Sequence, residues 1–191
     1  MDRDERLRWL GSIGIFYVAI PLFVVLSEPV YARLVPWSPV ETFVPPARLA
    51  AIALIVAGAA LAFRSMRDQV TTGEGHPFDL DGRQALSRPT HRLLTRGVYR
   101  WTRNPMGLGD VLLYAGLAIV ADAPRSLAVN VPLYAVIVGW NHRFNERPAL
   151  LARFGAAYLE YERSTSCLVP GPKSWRKWRR RAGTPRGHRA P

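Results

Sequence analysis

The chain has 191 residues, enough for one domain or one compact helical bundle, and no stretch of linker composition divides it into two balanced halves. An apolar fraction of 49% is ordinary for a soluble protein, so composition alone announces no membrane protein. The single cysteine, Cys167, excludes an internal disulfide and any multi-cysteine zinc site, and no two of the four histidines stand at metal-ligand spacing, so no metal is expected.

Taken along the chain, the apolar residues are segregated. From Trp9 to Ser27 there is no charge, nearly the roughly 20 apolar residues that cross a bilayer core, and this is the first predicted span. It is longer than a signal-peptide h-region, and Ser27-Glu28-Pro29 is a poor cleavage site, so it is expected to stay as a membrane helix. A second span is predicted from Val44 to Phe63; Pro45 and Pro46 mark its start, and Arg48 is expected to snorkel outward. The third, Met106 to Ala121, contains Asp110, and the fourth runs from Ser126 to Asn141. The short link Asp122-Ala123-Pro124-Arg125 makes these two a helical hairpin. Core helices of a soluble bundle have similar lengths, but the first two spans argue against that reading.

Orientation follows from the cations, because positively charged loops of membrane proteins stay in the cytoplasm. Eight arginines lie from Arg64 to Arg103 and twelve lysines and arginines from Arg143 to Arg189, whereas the first loop holds only Arg33 and Arg48 and the hairpin turn only Arg125. Both termini and the long middle loop are expected on the cytoplasmic side. The net charge of +12 sits beside apolar spans with no nucleic-acid motif, so membrane lipids, and no nucleic acid, are the expected partners. In the segment after Lys173, Trp175 and Trp178 fall on one helical face among cations. An interfacial anchor and a disordered basic tail both fit that pattern. Residues 1–93 are thus read as membrane helices and a loop, 94–170 as the functional core, and 171–191 as a basic tail.

Two stretches of that core carry candidate chemistry. In Thr95-Arg-Gly-Val-Tyr-Arg-Trp-Thr-Arg-Asn-Pro-Met-Gly-Leu-Gly109, Asn104 is a favoured N-cap and Pro105 suits the first helical position. The amides of Met106, Gly107 and Leu108 then lack intrahelical partners, a setting that suits an anion. Gly107 and Gly109 would let a ligand approach the backbone, but the spacing alone favours close helix packing. The second stretch starts at Asn141-His142. His142 and Glu146, four apart, share one helical face, and Leu151, Phe154, Tyr158 and Tyr161 recur at helical spacing, as in an amphipathic helix on a membrane surface.

Together these stretches resemble the isoprenylcysteine carboxyl methyltransferase and phospholipid methyltransferase family of integral membrane enzymes. Gly97 to Gly109 is similar to its Gly-x-Tyr-Arg-x-x-Arg-His/Asn-Pro-x-Tyr-x-Gly signature. Glu146 to Tyr161, followed by Val169-Pro170, is similar to its Glu-Glu-Pro-x-Leu-x-x-x-Phe-Gly-x-x-Tyr-x-x-Tyr and Val-Pro. The resemblance implies an all-α, multi-pass transmembrane bundle with a cytoplasmic C-terminal helix. It also implies S-adenosylmethionine as cofactor and a lipophilic or small-molecule methyl acceptor arriving from the bilayer.

By the same resemblance the cofactor site would comprise Arg103, Asn104, Pro105, Met106, Gly107, Leu108, Gly109, His142 and Glu146. Arg103 and the amides would take the cofactor's carboxylate, and Glu146 with His142 its amino or ribose hydroxyl groups. Tyr99 and Arg100 would border the substrate cleft, and Arg100 and Arg103 are the candidate catalytic residues. Two positions depart from the pattern: Gly107 replaces a tyrosine, which would enlarge the pocket or change the activity, and Arg147 replaces the second glutamate. Asp110 is expected to pair with Arg103 near the helix start, or else to meet the cofactor's ammonium. Two other readings stay open. A membrane oxidoreductase of the sterol-reductase type would use NADPH, but Asn145-Glu146 matches only half of that group's pattern. A non-catalytic membrane protein would keep the fold alone.

Overall fold

The computed structural model describes residues 3–36, 42–74 and 91–171; the expectations placed on Arg83, Arg88, Trp175, Trp178 and the basic tail lie outside them. Every regular element among the described residues is helical. In order they are α1 (Arg3–Gly14), a π-helical turn (Ile15–Ala19), α2 (Ile20–Leu26), α3 (Glu28–Leu34) and α4 (Pro45–Thr71). A 3₁₀ turn (Gly97–Arg100), α5 (Pro105–Val120), α6 (Pro124–Asn141), a second π-helical turn (His142–Glu146) and α7 (Arg147–Ser164) follow.

Two stretches, Leu10–Leu34 and Pro45–Thr71, are long and apolar enough to cross a membrane, and only 11% and 22% of their most apolar windows are buried. A soluble protein would bury such helices; here Val18, Leu49, Val56 and Phe63 are exposed. The first stretch outruns its predicted end because the chain bends at Ser27 and Pro29, in the first turn of α3, restarts it. α4 begins at the expected prolines but continues past Phe63 to Thr71. Arg64, Met66, Arg67 and Gln69 are good helix formers, and Arg64 pairs with Asp68 one turn on at 3.3 Å. α5 and α6 form the expected hairpin at 16 and 18 residues.

α4 and α5 meet through small residues. A Cβ added to Gly58 would lie 2.5 Å from the Gly109 carbonyl oxygen, and one added to Gly116 would lie 2.7 Å from the Ala51 carbonyl oxygen. Such backbone-to-backbone approach is how helices pack where lipid removes the hydrophobic drive between them. The core lies on the other side of α5, where Tyr114 and Ala118 pack with Val24 of α2 and Val131 of α6. The Tyr114 ring stands edge-on to Tyr134 at 4.8 Å, and its hydroxyl donates to the Phe16 carbonyl inside the first π-helical turn. At the far end, Arg48 is paired with Asp122 of the hairpin turn at 2.8 Å in addition to reaching outward. Glu28 there accepts from Arg125 and from the Ser126 amide at the start of α6.

Asp110 does not meet Arg103. It is 3% exposed and accepts a 2.8 Å hydrogen bond from Tyr134 of α6, while Arg103, which precedes the α5 cap, turns to Glu162 of α7. Arg103 lies outside α5, in the segment bonded to the chain after α7, whereas Asp110 lies inside α5 against α6, so the two side chains meet different helices.

Candidate functional site

The first stretch is fixed where α4 ends. Gly97 adopts φ +59°, which favours glycine, and a Cβ there would lie 2.9 Å from the Asp68 carboxylate, which would have to shift. The 3₁₀ turn that follows buries Tyr99, whose hydroxyl lies 2.8 Å from Ser65 Oγ on α4. Thr102 is fully buried and bridges in parallel to Ser166. The Arg103 amide donates to the Ser166 carbonyl at 2.9 Å, and the Asn104 amide to the Cys167 carbonyl at 3.0 Å. The segment after α7 is therefore strapped across the start of α5, which joins the two stretches singled out in the sequence.

Asn104 caps α5 as expected: its Oδ1 accepts from the Gly107 amide at 2.8 Å, and its carbonyl from the Leu108 amide at 3.1 Å. Those two amides are thus already bonded. Gly107 does not open a cavity beside itself, because a Cβ would lie 2.6 Å from Val138 Cγ1; α6 fills the space where a tyrosine ring would start. Gly109 is a packing glycine against Gly58 and Ala62.

From the second stretch, the π-helical turn carries His142 inward. Its Nδ1 lies 2.8 Å from Glu146 Oε2, and Asn141 Nδ2 donates to Glu146 Oε1 at 2.9 Å. π-Helical turns concentrate at functional sites. His142 Nε2 and Tyr158 Oη are 3.4 Å apart, and Arg103 Nη1 donates to the same hydroxyl at 3.4 Å. Arg103 and Arg147 both pair with Glu162, the latter as a fork with contacts of 2.9 and 3.0 Å.

The structure thus gathers Arg103, His142 and Glu146 into one network. Asn104, the buried Pro105 and the half-buried Met106 follow Arg103 along the chain at the start of α5, and Arg100 is exposed over the Trp101 ring at 4.9 Å. Tyr158, Tyr161 and Glu162 were not expected in it. Tyr158 and Tyr161, read as part of an amphipathic face along a membrane surface, are buried, with Tyr161 donating to the Tyr99 carbonyl at 2.7 Å, and no periodicity separates a lipid-facing ring from one turned to a site. No cluster of three metal-ligating side chains occurs among the described residues.

The profile of the family named Phospholipid methyltransferase matches residues 46–157, more than half of the chain. The chain belongs to the phospholipid methyltransferase family. The family is one of membrane methyltransferases, in keeping with the two long apolar helices. No curated protein and no solved structure matches the chain. In this phospholipid methyltransferase family member the matched region runs from the start of α4 past the middle of α7; Tyr158, Tyr161, Glu162 and the strap lie beyond it.

The network's charges are set by its contacts. Burial pushes the His142 imidazole down, but the Cys167 and Glu146 side chains beside it more than offset this and lift it to about 9. The Arg147 fork, against burial and helped by Arg103, holds the Glu162 carboxyl at about 2. Because the folded value of His142 exceeds its ordinary 6.5, the charged pair contributes its full stability below about pH 6.5 and loses it as pH rises through about 9. The melting temperature in detergent is expected to fall across that window, and Glu146→Gln to reduce the slope while the Cys167 contact retains part of it. A slope unchanged in that variant would show that another group titrates.

Proposed function

We propose that this family member is an integral membrane methyltransferase that uses S-adenosylmethionine to methylate a lipophilic or small acceptor at an oxygen, nitrogen or sulfur atom. In this reading α1 to α3 together, α4, α5 and α6 make four spans with both termini in the cytoplasm. α7 lies on the cytoplasmic side, where the arginines after α4 and after α6 are gathered.

The observation that carries the proposal is the convergence of Arg103, His142 and Glu146, drawn from stretches far apart in sequence, beneath the strap. The donor's amino-acid end bears a carboxylate and an ammonium, and the network offers a matching pair. Arg103 Nε is buried with no hydrogen-bond partner among the described residues, and Glu146 is a carboxylate flanked by an amide and an imidazole. Arg103 would hold the donor's carboxylate, and Glu146 with His142 its amino or ribose hydroxyl groups. Asn104, Pro105 and Met106 would shape the wall beside it. With the Gly107 and Leu108 amides already bonded, those residues and Gly109 would set the helix start and its packing, leaving the anion contact to Arg103. Tyr99 and Arg100 would border the acceptor's approach.

Bound there, S-adenosylmethionine supplies a methyl group on a sulfonium sulfur. The chain's contribution would be alignment and exclusion of water: the strap bonded to Thr102 and the buried Tyr158 and Tyr161 would keep the site dry, and Arg103, His142 and Glu146 would orient the donor for an in-line displacement that calls for no protein nucleophile.

Titration of the detergent-purified chain with S-adenosylmethionine and with NADPH tests this. Saturable binding of the first is expected. Binding of NADPH alone would move the chain to the reductases, and binding of neither would leave a scaffold without activity. Membranes incubated with methyl-labelled donor should then yield a labelled extractable lipid or small molecule.

A further inference from the structure

We infer that Glu162 is a positioning residue of this site: a single carboxylate that holds Arg103 in place and, through Arg147, locks the bend of α7 that brings Tyr158 to His142. The inference rests on the donor-site reading above and names a residue outside the region matched by the family profile.

The geometry of α7 makes the case. Arg147 and Glu162 stand 15 residues apart, which on a straight α-helix separates them by about 22 Å, well beyond the combined reach of the two side chains. They nevertheless make a forked contact with distances of 2.9, 3.2 and 3.0 Å. What permits it is Gly155, midway between them, at φ +51° and ψ −124°, where the helical path breaks. A positive φ is open to glycine at little cost, and a Cβ at Gly155 would meet nothing within 4 Å, so no neighbour packs against the bend at Gly155 itself. The Arg147–Glu162 fork joins the two halves of α7 across it.

The same carboxylate receives Arg103 Nη1, so one acid ties three pieces of chain: the start of α7, its end and the segment before α5. The side chains of Arg103, Glu162 and Arg147 are 12%, 20% and 29% exposed, which shields these pairs from salt more than surface pairs. Two guanidiniums on one carboxylate leave a net positive charge next to the unpartnered Arg103 Nε, which favours a carboxylate-bearing ligand. Without Glu162 the two cations repel, the bend loses its clasp, and Arg103 keeps only a 3.4 Å contact to Tyr158.

The test measures donor affinity, KM and kcat, and detergent melting temperature on the full chain for the wild type, Glu162→Gln, Glu162→Asp, Arg147→Gln, Arg103→Ala and the double variant Arg103→Ala/Glu162→Gln. Glu162→Gln is expected to weaken S-adenosylmethionine binding about tenfold and to act on KM more than on kcat, with Glu162→Asp recovering part of the loss. Because Glu162 acts in part through Arg103, adding Glu162→Gln to Arg103→Ala should cost clearly less than Glu162→Gln costs the wild type, and no more than Arg147→Gln alone. Arg147→Gln leaves the Arg103 pair but frees the bend, and a smaller loss of affinity is expected; it serves should Glu162→Gln fail to fold. Wild-type affinity in both Glu162→Gln and Arg147→Gln, or additive losses in the double variant, overturns the inference while leaving the donor site intact if Arg103→Ala is impaired. A wild type that binds no donor overturns the functional reading itself, and this inference with it.

Discussion

Gly109→Leu is expected to abolish folded protein. At that position a Cβ alone lies 2.7 Å from the Gly58 carbonyl oxygen and 2.8 Å from the Ala62 amide nitrogen. Both are backbone atoms, so no rotamer change relieves the clash, and α4 and α5 must separate. Overpacking by single methylenes costs roughly 1–3 kcal/mol against a total stability of about 5–15 kcal/mol, so Gly109→Ala should survive with a lowered melting temperature and leucine should not. Gly139→Leu is the control: a Cβ at Gly139, on α6, meets nothing within 4 Å. The readout is the fraction of membrane-extracted protein that unfolds cooperatively in detergent. A Gly109→Leu variant with the wild-type transition would mean that α4 and α5 do not meet there.

Arg103→Ala is expected to lower S-adenosylmethionine affinity by about 10- to 100-fold, the worth of a lost charge-assisted hydrogen bond of roughly 1.5–3 kcal/mol. The variant should still fold, because Glu162 keeps its forked contact with Arg147 and Tyr158 keeps its contact with His142, so neither is stranded in the interior. Calorimetric titration with a parallel melting curve separates the two effects. Undiminished donor binding at an unchanged melting temperature would remove Arg103 from the site.

Much of this architecture was legible in the sequence because charge-free runs and proline-marked starts are local signals. They located α4, α5 and α6 to within a few residues at the end facing the apolar run. They missed the end of α4 because hydropathy reports a span, whereas a helix continues wherever helix-forming residues allow it. The Asn104 cap and the His142–Glu146 pair were readable for the same local reason. Glu162 was not: its partners lie 15 and 59 residues away, and one acid on an amphipathic helix looks like any solvated charge. Arg147, read as the loss of a carboxylate, turned out to have a carboxylate of its own. The partner of Asp110 was misassigned because proximity along the chain does not tell which neighbouring helix a side chain meets: α6 through Tyr134 for Asp110, α7 through Glu162 for Arg103.

The strap sets an order of assembly. Thr102 and Cys167 are bonded across 65 residues, and both helices of the hairpin lie between them. During synthesis the start of α5 is made early, but its cover emerges only after α6 and α7 have left the ribosome. A nascent chain can therefore place its apolar helices while the network around Arg103 still stands open to water. On the proposed reading, competence to hold a methyl donor would follow only once that cover is in place.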